Sequence, residues 1–131
     1  MTIDYSAENY RYWLKADSYT FERKLEHETA FDGIVKIFKL RTNNIEVDNL
    51  LNDVYFGDFH YETESGIFLR LFNLKTSWPI TTLVYLDFDN SKLIKINENR
   101  FSWIAWTVMD LGNKKYSIFI SPNEGIEYQI N

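Results

Sequence analysis

Proton transfer near neutral pH calls for an imidazole, and the chain offers two, His27 and His60. The run from His27 and Glu28 to Phe31 opens like the zinc-protease pattern HExxH. Phe31 stands where that pattern needs its second imidazole, one helical turn on, so the metal site fails. The run Asp87 to Glu98 sets side-chain oxygens at the first, third, fifth and twelfth places of a calcium loop. Its sixth place, where the sharp turn needs Gly, is Lys92, and its flanks read as strands. A hairpin turn made from Asp, Asn and Ser accounts for the same residues. The zero cysteine count excludes thiol catalysis, thiolate metal sites and a disulfide scaffold. No Gly-x-Ser-x-Gly, Gly-x-Gly-x-x-Gly or phosphate loop occurs. The carboxylate pair Glu62 and Glu64 lies in what reads as an exposed turn, and exposed carboxylates lack the burial that tunes a catalytic acid. The reading is therefore a non-enzymatic chain with neither metal nor cofactor.

Binding is the chemistry that remains, and charge directs it. The 131 residues carry 14 Lys and Arg against 19 Asp and Glu, a net charge of −5. The excess sits in residues 1–65, with 13 acids and 7 bases, whereas residues 66–131 hold 6 acids and 7 bases. A negative field repels nucleic acid, whose binding depends on Lys and Arg displacing phosphate counterions. It attracts basic proteins and raises their rate of encounter. Aromatic residues interleave with these acids: Tyr55, Phe59, His60 and Tyr61 lie among Asp53, Asp58, Glu62 and Glu64. Rings among carboxylates suit a cationic protein surface, with rings as anchors and acids as steering charges. The plain alternatives are that the charge keeps the chain dispersed and that the rings are sheet core. The candidate partner-binding residues are Asp48, Asp53, Asp58, Glu62 and Glu64, with Tyr55 and Tyr61 as anchors.

The elements that must position them follow from hydrophobic periodicity. The length fits a single domain over 1–131, and 10 Phe, 9 Tyr and 4 Trp against 5 Gly and 2 Pro exclude disorder. Ser6 can cap a helix starting at Ala7, with Glu8 in its first turn and Tyr10, Trp13 and Leu14 as its apolar stripe. Tyr19 to Phe31 suits either helix or strand, and its alternation tips it toward an extended segment. Ile34 to Arg41 reads as a strand, although its apolar spacing also suits a short helix, and Ile45 to Val54 reads as a short helix. From Val54 onward the period is two. Gly57 is a candidate bulge, and Ile67 to Leu74, apolar on both faces except Arg70 and Asn73, reads as central. Six or seven strands on short turns predict an α+β fold: a curved antiparallel sheet, with the N-terminal helix packed on its concave face.

The first eight residues have neither a basic nor an apolar segment of a secretory signal, and no apolar run could cross a bilayer. With no cysteine, the expected address is the cytoplasm. In overall build the chain resembles small acidic bacterial immunity proteins, a class of many unrelated folds without a shared motif. That resemblance implies a protein inhibitor that binds a basic toxin domain, often a nuclease, and covers its active site or an adjacent patch. The alternative is a small-ligand pocket: a curved sheet crossed by a helix encloses a cone that Trp and Tyr could line, with His27 or His60 for modest catalysis.

Overall fold

The computed structural model describes residues 10–29 and 35–131. Seven strands form one antiparallel sheet in sequence order: β1 (Arg11–Ala16), β2 (Tyr19–Glu28), β3 (Lys36–Thr42), β4 (Tyr55–Glu62), β5 (Gly66–Phe72), β6 (Thr81–Asp87) and β7 (Lys92–Asn99). A helix of about a turn and a half, α1 (Ile45–Leu50), joins β3 to β4. A second antiparallel sheet holds β8 (Thr107–Gly112), β9 (Lys115–Ser121) and β10 (Glu124–Gln129), with β9 in the middle.

The expected α+β fold with an N-terminal helix is corrected: the described chain is mostly β, in two antiparallel sheets. Ser6 to Asn9 lie outside the described residues, but Trp13 and Leu14, which should have formed the helix stripe, lie in β1. The reason is a bulge. The β1–β2 register shifts between Tyr12 and Leu14, so Trp13 is an extra residue in the strand. Trp13 and Leu14, though adjacent, both pack against the same core, which imitates a helical i+3, i+4 pair.

The seven-stranded sheet is curled. In a flat sheet β2 and β6 would lie about 19 Å apart, four strand spacings. Yet the Tyr19 ring at the start of β2 stacks on Phe88, just after β6, at 4.3 Å. Inside the curl, Phe21, Phe56, Ile67, Leu69, Leu71, Val84 and Leu86 form one apolar core, none more than 1% exposed. Val47 of α1 and Leu51 after it plug this core, so the short helix does part of the covering expected of an N-terminal one.

The opposite face is closed by the second sheet. Phe68, Leu83 and Tyr85 of the large sheet pack with Trp106, Tyr116, Ile118 and Ile120. Strands β5 and β6 are thus covered on both sides, and each is buried almost throughout, as expected for Ile67 to Leu74. Arg70, the one charged residue of β5, reaches toward the second sheet and holds the β7–β8 loop by its carbonyls.

Candidate functional site

A cleft of about 580 Å³ opens where three turns meet beside the sheet–sheet core. The β4–β5 turn brings Glu62, Thr63, Glu64 and Ser65, the β6–β7 turn brings Asp89, and the β8–β9 turn brings Asp110 and Gly112 to Lys114. Tyr61 and Tyr116 line it, their rings meeting edge to face at 5.9 Å.

Each turn is pinned from within. The buried Tyr85 hydroxyl hydrogen-bonds the hydroxyls of Thr63 at 2.7 Å and Ser65 at 3.0 Å. The Thr63 N–H donates to the Gly66 carbonyl at 2.9 Å, and the Phe88 N–H to the Ser65 carbonyl at 2.9 Å. On the other wall, Gly112, Asn113 and Lys114 run through left-handed backbone at φ 84, 54 and 62. The Asp110 carboxylate accepts from the Gly112 N–H at 2.8 Å, and Gln129 donates to the Asn113 carbonyl at 2.8 Å. A cleft built from such turns is preorganised, which lowers the ordering cost of filling it.

Its electrostatics are one-sided. Glu62, Glu64, Asp89 and Asp110 are exposed and face a single cation, Lys114. Among the described residues none of the four is in an ion pair, whereas Asp58, Glu26, Glu22 and Glu127 each hold a Lys or Arg. The negative potential is felt by the ring beside it. Burial pushes the Tyr116 hydroxyl up from its ordinary value, and the nearby Asp110 and Glu64 carboxylates push the same way.

The expected binding residues divide. Tyr61, Glu62 and Glu64 come together in the cleft. Tyr55 lies at the other end of β4, about 20 Å away along the strand. There it is half-buried against Val35, Ile37 and Phe72, under the Lys39 ammonium at 5.0 Å. Asp48 ties α1 to β3 by accepting from the Thr42 N–H at 2.9 Å. Asp53 is exposed in left-handed backbone (φ 64) after α1. Asp58 is bound to Arg23 at 2.5 Å. His60 meets Trp13 edge to face at 5.1 Å; burial lowers its pKa against the pull of Glu62, with Arg23 adding to the fall. Strand β3 separates it from His27 on β2. Asp87 closes its hairpin by accepting from Asn90 at 2.8 and 3.2 Å, the turn expected in place of a calcium loop.

Sequence reasoning missed Asp89, Asp110 and Tyr116. Each lies at or just past a strand end in the half of the chain with no net negative charge; the pairing of β5 with β6 sets Asp89 beside the β4–β5 turn, and the docking of the second sheet brings Asp110 and Tyr116 to Glu62 and Glu64. Inside the curl, where the alternative would place a cone-shaped pocket, the described residues form a buried apolar cluster. Also among these, no group of His, Cys, Asp and Glu could hold a metal ion, and no helix is long and apolar enough to cross a membrane. No protein-family model, curated protein or solved structure matches this chain.

Proposed function

We propose that this chain is a protein-binding inhibitor of the immunity type, acting in the cytoplasm, and that its acidic cleft receives a basic protein partner. The observation that carries the reading is a pinned cleft that gathers four carboxylates, none in an ion pair among the described residues, beside two tyrosine rings and a single lysine. Such a cleft fits a Lys or Arg side chain: the carboxylates steer it in and accept its hydrogen bonds, and the tyrosine rings flank its stem. A nuclease-like toxin domain has a surface of this chemistry, because it must itself attract phosphates. Binding there would block that surface without any chemical step by the inhibitor.

The test is calorimetric titration against a purified basic nuclease-type toxin domain, the neighbouring gene being the first place to look for one. Paired reversal of Glu62→Lys and Glu64→Lys weakens binding by tenfold or more (about 1.4 kcal/mol or above) and flattens its salt dependence. Reversal of Asp53, remote from the cleft, leaves affinity within about twofold. Equal affinity in wild type and the paired variant rejects the cleft as the interface.

A further inference from the structure

Arg70 is a buried charge with an incomplete set of partners. It lies mid-strand in β5 between Leu69 and Leu71, only 8% exposed. Its Nη1 donates to the Ser102 carbonyl at 2.9 Å, and its Nη2 to the carbonyls of Ile104 at 2.5 Å and Phe101 at 3.5 Å. Its guanidinium stacks on the Trp106 ring at 3.9 Å. Every one of these partners is neutral. Asp58, the carboxylate whose field reaches Arg70, is held by Arg23 at 2.5 Å.

Two donors remain over. The Nε of Arg70 and the Oγ of Ser102, a residue only 3% exposed, are buried without a hydrogen-bond partner among the described residues. Both residues border one cavity of about 30 Å³, whose other walls are Val35, Lys36, Gly57, Asp58 and Phe72. That volume admits a single small occupant. Gly57 keeps the space open, since a Cβ there would come 2.9 Å from Arg70 Cδ and 3.3 Å from the Phe72 ring. The walls offer two unused donors and two cationic side chains, and the one carboxylate is engaged elsewhere. A buried guanidinium N–H without a hydrogen-bond partner is costly, and an anion that accepts from both donors removes that cost.

We propose that the cavity beneath Arg70 binds one halide-sized inorganic anion, chloride in the cell, which completes the guanidinium's hydrogen bonding and fastens the β7–β8 loop to the large sheet. The site is too small for a carboxylate or phosphate group and stands apart from the acidic cleft, so it is independent of the partner reading. The loop it fastens carries Trp103, which is 54% exposed.

Crystals grown in sodium bromide test it directly. The expected result is one anomalous bromine peak within hydrogen-bonding reach of Arg70 Nε and Ser102 Oγ. In solution, the melting temperature at constant ionic strength rises as chloride replaces gluconate. Ser102→Ala, a small change that avoids deleting the buried charge, needs about tenfold more chloride for the same rise, the effect of losing one hydrogen bond to a charged group. Density at the site without anomalous signal would identify a water and overturn the proposal. So would a wild-type melting temperature indifferent to chloride, or a Ser102→Ala variant that responds like wild type.

Discussion

Gly66 begins β5 with its Cα under the β6 backbone, and a Cβ there would run into the Leu86 carbonyl and lie 2.5 Å from the Tyr85 hydroxyl. Backbone cannot retreat as a flexible side chain can. Gly66→Ala is therefore expected to destabilise by about 1–3 kcal/mol or more, measured as a fall in the denaturant midpoint. It should also loosen the turn that carries Glu62 and Glu64, since Tyr85 pins that turn through Thr63 and Ser65. At this scale the sequence was partly legible. Tyr61, Glu62 and Glu64 could be chosen because they are neighbours in the chain and in space. Charge and neighbouring rings do not reveal that the Asp48 carboxylate accepts from a backbone N–H or that Asp58 meets Arg23.

Element by element, periodicity served well where strands alternate. Tyr19 to Glu28 is a strand as its alternation suggested, and Gly57 lies in the β4 irregularity between Phe56 and His60. The short helix is also where its apolar spacing placed it, although it ends at Leu50 rather than Val54. Its start is set by Asn44, whose side-chain oxygen accepts from the Val47 N–H at 3.0 Å. With so few turns, α1 depends on that cap and on Val47 and Leu51 in the core. Asn44→Ala should cost about 1 kcal/mol, read as a lower melting temperature with the strand spectrum retained. The first element misled because a bulge has no period. It places two adjacent side chains on one core, a pattern that a helix produces more often.

For the whole molecule, the union of the two sheets is what folds and what titrates. Tyr85, Tyr116 and Tyr128 sit with Phe68 in that joint, their rings 4.8 to 5.9 Å from it. Burial raises the pKa of all three hydroxyls from the ordinary 10.0. A raised acid keeps its proton longer folded than unfolded. Its contribution is full below 10.0 and is lost as pH climbs through the folded-state values above it. Arg70, drawn down to about 10 by burial, works in the opposite sense over that range, so the tyrosine contribution is read as a difference between variants. The melting temperature of Tyr128→Phe relative to wild type should be constant below about pH 9.5 and rise above it, because the variant lacks a hydroxyl whose ionisation opposes burial. A difference that stays flat through that range would contradict the buried joint. The sequence by itself determined the β character of most segments, the central place of β5 and the excess of acid, because these depend on local alternation and on counting. Only the tertiary structure decided that the last three strands form a separate sheet and that Asp110 and Tyr116 join Glu62 and Glu64. The physical reason is that sheet docking is set by long-range burial of Phe68, Tyr85 and Ile118, and no window along the chain contains both sides of that contact.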